Sequence, residues 1–500
     1  MTNELPSKPL RPATLAHAQT RWRTAVATAA CSLLAACASP SDRDITAWTT
    51  AEVPTAWSQP VPDKASATST PRSLALAQWW SVFEDDLLKR LVEQALKHNT
   101  SVAIAQANLR QARAQRQAQS AGLGPSVSAS LSGQRSKSGD TPSTDRFSTS
   151  IDASWEPDVF GVNAQGLAAA DADLKAAEAQ LGDVQVSLAA EVAIAYVEAR
   201  ALQQRLGIAQ RNLSTQTETA QITSWRTDAG LASSLEREQA KAAVAQTDAQ
   251  VAALQTSLTQ ARHALSILTG QLPGALDTAF DPSVAIPAPS ASLTISFPAD
   301  TLRQRPDIRT AEYQVLAATA RADQAQAARY PSFRLSGSLG LGANTLRGLT
   351  DGGASIVNSL LASLTAPLWD GGVLKAQAEV ASAGEVSAAA AYRQSVLVAL
   401  KEVEDALAAI DGNRLRLERL TLSSDAAASA ELLARQQYTS GLLDFQSVLE
   451  TQRTLLSAQD SVATAKASLA TSHIQLYKAL GGGWQPDPTE PTTPATAPTQ

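Results

Sequence analysis

The sequence predicts a mixed α/β membrane protein, in which very long helices run on into short strands suited to a lipid bilayer. Three observations predict this. Proline-free stretches repeat apolar residues every seventh position, as Leu167, Leu174, Leu181, Leu188, Ala195 and Leu202 do. Four short segments alternate apolar with small polar residues. And the chain is written twice, which places both kinds of segment symmetrically.

The duplication sets the frame. Val102 stands 23 residues before Pro125, and Ile308 stands 23 residues before Pro331. Each proline opens an alternating segment. Gly161 and Gly371 then start long helical runs, which Gly230 and Gly441 interrupt after 69 and 70 residues. The halves close alike, with "ALSILTG" at 264–270 and "LYKALGG" at 476–482. The expected division is a signal peptide (1–36), a tether (37–75), a first repeat (76–285), a second repeat (286–484) and a Pro/Thr-rich disordered tail (485–500).

In chain order the N-terminus comes first. Arg21 and Arg23 precede a short apolar run, Thr24 to Ala36. Spanning a bilayer takes about 20 such residues, so the run predicts a cleaved signal. It ends in Leu34-Ala35-Ala36-Cys37, which resembles the lipobox of bacterial lipoproteins. That resemblance implies cleavage before Cys37, a diacylglycerol on its thiol and an acyl chain on its new amine. With no aspartate next to Cys37, it also implies sorting to the outer membrane. The other reading is an ordinary secretory signal cut near Ala36. Cys31 falls inside the signal.

The helical runs follow. Besides the first stripe, Val244, Val251, Leu258 and Leu265 form a second, Val396, Val403, Ile410 and Leu417 a third, and Val448, Leu455, Val462, Leu469 and Leu476 a fourth. Sustained seven-residue repeats pack helices side by side in coiled-coil manner. The longest run, 162–226, is about 100 Å long at 1.5 Å per residue. A plain coiled-coil spacer would show the same repeats.

The strands argue against a spacer. Val127, Ala129 and Leu131 alternate with serines, as do Phe147, Thr149, Ile151, Ala153 and Trp155 with Ser148, Ser150, Asp152 and Ser154. Phe333, Leu335, Leu339 and Leu341 alternate with Ser332, Arg334, Ser336 and Ser338, and Leu360, Ala362, Leu364, Ala366 and Leu368 share a face. A tilted strand of about ten residues crosses a bilayer, one face to lipid and the other to a wet lumen. Four strands cannot close a barrel, and an open edge in lipid costs several kcal/mol per unsatisfied group. The chain is therefore expected to oligomerise; two copies supply eight strands, three supply twelve.

Other chemistry is excluded by content. The net charge of −6 offers no basic field for nucleic acid. Two cysteines make no disulfide framework, and the four histidines have no zinc spacing. "GGGW" at 481–484 lacks the Lys-Ser/Thr of a phosphate loop. No enzyme, metal or cofactor is expected beyond the lipid on Cys37. A single methionine, Met1, rules out a methionine-rich copper path. Trp155 and Trp369 precede long helices and suit either an interfacial anchor or core packing.

With these elements on the page, a family resemblance is plain. Trp79-Trp80 and Phe83, "DDLLKRLVEQALKHN" (85–99), "WEPDVFG" (155–161), "DAGLASSLEREQA" (228–240), "RQRPDIRTAE" (303–312), "APLWDGG" (366–372), "YTSGLLDFQSVLETQR" (438–453) and "LYKALGGGW" (476–484) occur in order. The chain resembles the outer membrane efflux proteins, the TolC-like ducts, in the lipoprotein branch typified by OprM and NodT of RND-type multidrug efflux systems. The resemblance implies a homotrimer with a twelve-stranded barrel, a periplasmic helical tunnel and a small mixed domain around its middle. That domain would come from 76–100, residues around 272–303 and 482–484. The extracellular loops would be Gly133 to Arg146 and Gly342 to Ser355. Gly230 and Gly441 would lie at the tunnel's far end, meeting a periplasmic adaptor and, through it, an inner-membrane pump. Tyr438, Asp444 and Glu450 match the segment that closes the family's tunnel; the alternative is that the two acids are solvated surface charges. Arg226, Asp228, Glu236 and Glu238 are weaker candidates, expected to face solvent or the adaptor. A duct for protein or metal-ion export, and a periplasmic spacer without a pore, are the competing readings.

Overall fold

The structure, a computed structural model, describes residues 54, 56–58, 76–280, 284–289, 302 and 304–484, all within the compact unit Ala51–Gln500. Cys37, the signal, most of the tether and the tail lie outside the described residues.

The duplication is visible in element lengths. The first half runs through α1 (Asp86–His98), α2 (Thr100–Gly122), β1 (Ser126–Ser136), β2 (Thr144–Trp155), α3 (Val162–Asp228) and α4 (Ser234–Leu268). The second runs through α5 (Pro306–Ala327), β3 (Ser332–Ala343), β4 (Ser355–Thr365), α6 (Val373–Thr439) and α7 (Phe445–Ala479). Helices α3 and α6 each have 67 residues, and α4 and α7 each have 35. Both long helices start after a left-handed glycine, Gly161 (φ 82°) and Gly372 (φ 92°), a conformation other residues resist. Pro306 opens α5 at its first turn, where a missing N–H costs nothing.

The seven-residue stripes need one correction. On the lower half of α3, Gly166, Ala169, Ala172, Ala176, Ala179 and Gly182 are buried, while Leu167, Leu174 and Leu181 are half-exposed. Small residues let α2 and α5 lie close; a Cβ on Gly166 would meet Gln324 at 2.8 Å and Gln119 at 3.7 Å. Ion pairs flank this seam: Arg113–Glu178, Arg116–Asp171 and Arg321–Asp173. On α6, Val396, Val403 and Ile410 are buried as the stripe requires. Its other side leaves Val380, Leu397, Leu415, Leu422 and Leu433 exposed.

The largest core lies midway along the helices. Trp79, at the start of the 3₁₀ turn Trp79–Phe83, stacks on Tyr477 with centroids 5.1 Å apart, and Trp80 and Phe83 meet it edge-on. Leu88, Leu91 and Val92 of α1, Tyr196 and Val197 of α3, Leu265 of α4, and Leu276 and Phe280 beyond it complete the cluster. Each fully buried side chain of this kind contributes about 1.5–3 kcal/mol. Gly482 N–H donates to the Tyr477 carbonyl and Gly483 N–H to that of Leu76, which ties the segment after α7 to the one before Trp79 over the core. The segments expected to form a mixed middle domain thus meet here, but among the described residues they supply helices and turns and no strand.

The strands form one antiparallel sheet in the order β1-β2-β3-β4. The expected loop Gly133 to Arg146 is shorter in fact. Pairing continues through Gln134↔Arg146, Arg135↔Asp145 and Ser136↔Thr144, helped by an Arg135–Asp145 ion pair at 3.1 Å. The second loop, 344–354, nearly fills the expected interval. Ala366 and Leu368 fall beyond β4, which ends at Thr365 before Pro367.

Candidate functional site

Two regions are the candidate sites, the sheet faces and the helical tips. The register sorts most of the sheet into two faces; in β4, Asn358 joins the apolar side opposite Leu339, and Val357 and Leu361 join the serine side. Val127 faces Ala153, Ala129 faces Ile151, Leu131 faces Thr149, and Ile151 in turn faces Leu339. Phe333↔Leu364, Leu335↔Ala362 and Leu341↔Ile356 continue the same apolar face. The opposite face is a hydroxyl wall. Cross-strand Oγ pairs join Ser126–Ser154 (2.9 Å), Ser130–Ser150 (2.9 Å), Ser132–Ser148 (2.7 Å) and Ser338–Ser359 (2.7 Å). Asp152 sits among these serines and accepts from Ser150 at 2.7 Å; Arg334 pairs with Glu156 at 3.5 Å. Such a wall hydrates readily and has no strong field of either sign. The apolar face is unsuited to water, and among the described residues β1 and β4 each present an unpaired edge.

At the far end the two helical hairpins turn in the same way. Gly230 (φ 73°) and Gly441 (φ 75°) are left-handed. Leu231 N–H reaches back to Arg226 O and Leu442 N–H to Gln437 O, while the glycine N–H groups bond Thr227 O and Tyr438 O. These are Schellman caps, which satisfy the last carbonyls of a helix. Re-entry is capped as well. Ser233 and Glu236 form a reciprocal capping box at α4, and Asp444 accepts from Ser447 N–H at 2.8 Å at α7. That backbone bond holds the Asp444 carboxyl below the usual range.

The hairpins are joined at Tyr438. It is buried among Ala240, Ala243, Ala434, Phe445, Val448 and Leu449. The Arg226 guanidinium lies 4.6 Å from its ring centroid, and Arg226 Nη1 donates to its carbonyl at 2.7 Å. Thr223 Oγ1 and the Tyr438 hydroxyl are 3.2 Å apart. Arg226, expected at the surface, is therefore half-buried and clasps α6. Above it α3 repeats polar contacts to α7: Arg205–Asp460 (2.6 and 3.1 Å), Asn212–Gln459 (3.2 Å) and Thr219–Gln452 (3.1 Å). Arg205, Asn212, Thr219 and Arg226 are spaced by seven, so one heptad position turns polar toward the tip. That switch was readable in the sequence; its partners, more than 200 residues away, were not.

The remaining candidates lie as follows. Asp444 and Glu450 are exposed, whereas Tyr438 is interior, so the structure does not group the three. Asp228 pairs with Arg237 at 3.3 Å and Glu238 with Lys241 at 2.8 Å on the tip surface. Trp155 donates from Nε1 to Leu123 O at 3.0 Å, and Trp369 is 92% exposed.

A sequence model of outer membrane efflux proteins matches residues 91–271 and again 297–482, one match per half. The pyoverdine export outer membrane protein OpmQ of Pseudomonas aeruginosa is 32% identical over 473 residues, covering 92% of this chain and 96% of OpmQ. Nodulation protein T of Rhizobium leguminosarum bv. viciae is 32% identical over 428 residues, covering 85% of this chain and 88% of its own length. The solved outer-membrane channel OprN superposes with a TM-score of 0.77 at 35% identity, covering 85% of this chain and 98% of OprN. The duplicated helices, the one-sided sheet and these likenesses agree: the chain belongs to the outer membrane efflux protein family and is an outer-membrane efflux duct.

Proposed function

We propose that three copies of this chain close a twelve-stranded barrel and a helical tunnel, which receives small molecules from a periplasmic adaptor and an RND-type inner-membrane pump. The observation that carries this is the open four-stranded sheet. Its apolar face needs lipid, its serine face needs water, and its edges β1 and β4 need partners. Further copies of the same chain satisfy all three requirements. The exposed flank of α6 is then covered by a neighbour.

The tip is the gate in this reading. The middle is held by aromatic and aliphatic packing, which resists parting. The tip has a smaller apolar cluster around Tyr438 together with polar contacts that water can replace, so α6 and α7 part from α3 and α4 at lower cost there than in the middle. Gly230 and Gly441 shape the two turns that an adaptor meets. Asp444 and Glu450, repeated around a threefold axis, would form acidic rings that draw cations inward. Lipid on Cys37 anchors the N-terminus to the outer membrane. Export of a small molecule is named for one relative, pyoverdine for OpmQ.

Full-length protein in planar bilayers tests the reading. Discrete conductance steps from an oligomer whose migration changes on heating are expected. A monomer that stays in solution without detergent would end it.

A further inference from the structure

The loop between β3 and β4 folds back onto the sheet. Its helical turn, Arg347–Leu349, packs on β2 and β3 and closes a groove of about 510 Å³, lined by Leu131, Thr149, Leu346, Arg347, Leu349 and Thr350. Leu131 and Thr149 are cross-strand partners on the apolar face. The groove therefore opens on the lipid side of the sheet and away from the serine wall.

Its height follows from the register. The rungs of the apolar side run from Phe333↔Leu364 up to Phe147↔Ala343, ten residues along β3, with Asn358 beside Leu339 their one amide. At about 3.4 Å per residue and a tilt of about 40° this band is about 26 Å tall, the height of a barrel's apolar belt. The rung Leu131–Thr149–Leu341 is the last but one, and the Arg135–Asp145 ion pair lies two residues beyond the final rung. Helices enter and leave at the opposite end of the strands. So the groove sits where acyl chains give way to headgroups on the side remote from the helices.

Its chemistry has two parts. Leu131, Leu346 and Leu349 form apolar walls, and the last two are placed there by a loop that would otherwise be expected in water. Arg347 stands at the rim. It meets Asp351 through Nε at 2.9 Å, and a guanidinium has four further N–H donors. Guanidinium groups suit phosphate geometry.

We propose that this groove binds a phosphorylated lipid of the outer leaflet, an acyl chain lying between Leu131, Leu346 and Leu349 and its phosphate meeting Arg347. This rests on reading the sheet as the wall of a membrane barrel. The apolar walls are continuous with the lipid-facing surface, which favours lipid over a protein segment as occupant. The lipid ties the loop to the rim and keeps it from folding over the pore.

Full-length protein extracted from outer membranes in mild detergent is assayed for co-purifying lipid phosphate. Arg347→Gln with Leu349→Ser should lower it at least fivefold, while Asp140→Asn in the other loop leaves it unchanged. Should the double variant fail to migrate as a folded oligomer, Arg347→Gln alone, at an exposed position, carries the measurement with a loss of at least twofold. Unaltered lipid phosphate on a folded oligomer overturns the groove and leaves the duct standing, as does an equal fall in the Asp140→Asn control. If the native chain forms no membrane oligomer, the earlier reading fails and the groove with it.

Discussion

Replacing Arg226 with alanine is expected to unlock the tip. The change removes a hydrogen bond from a charged donor to the Tyr438 carbonyl and a guanidinium lying 4.6 Å from that ring. The first contributes about 1.5–3 kcal/mol and the second about 0.5–2 kcal/mol. Arg226 is only half-buried and its partners regain water once the hairpins part, so the low end applies, about 2 kcal/mol per chain. At 1.4 kcal/mol per tenfold, that shifts the balance between closed and open tips about 30-fold per chain. Single-channel recording should show a matching rise in open time. Arg226→Lys, which keeps the charge but loses the flat fork, should fall between the two. Open time unchanged in Arg226→Ala, in an oligomer of native melting temperature, would refute the claim that this clasp holds the tip shut.

Three further outcomes are expected. A Cβ on Gly340 would lie 2.5 Å from Thr149 O and 2.9 Å from Ser150 Cβ, so Gly340→Val should force β2 and β3 apart, cost about 1–3 kcal/mol or more, and reduce the heat-modifiable oligomer on gels. Burial, reinforced by the Asp307 carboxylate, pushes Asp183 above its ordinary value of 3.8, so the fold favours its protonated form; stability falls as pH rises from 3.8 through the raised value, Asp183→Asn should raise the melting temperature at pH 7, and the gain should vanish in melts below 3.8. Cys37→Ser should abolish palmitate labelling, and labelling at the native level would return Cys37 to an ordinary secretory signal.

Much of the architecture was legible because its causes are local or periodic. The 23-residue intervals ending at Pro125 and Pro331 mark α2 and α5 running into β1 and β3, and alternation along Val127–Leu131 assigns the faces that pairing later confirms. Strand ends were less legible, because Arg135 and Asp145 look like loop residues until each meets the other across the hairpin. The leucine stripe of α3 holds at Leu188, Ala195 and Leu202 but misplaces the seam in the helix's first turns, where close approach to α2 and α5 selects Gly166 and Ala169 over Leu167. At the tip, glycines announced the turns, but the Arg226 clasp joins residues 212 apart and had no local signature.

The matched helix lengths have a consequence for how such a molecule can change. Because α3 and α6 both count 67 residues and α4 and α7 both count 35, their ends come level at one plane. Adding residues to one member alone would leave its turn protruding and put every facing side chain out of step. Growth or shortening must therefore happen in all four at once, in whole heptads of about 10 Å. The length of the helical section is thus a quantity that changes without loss of register only in steps.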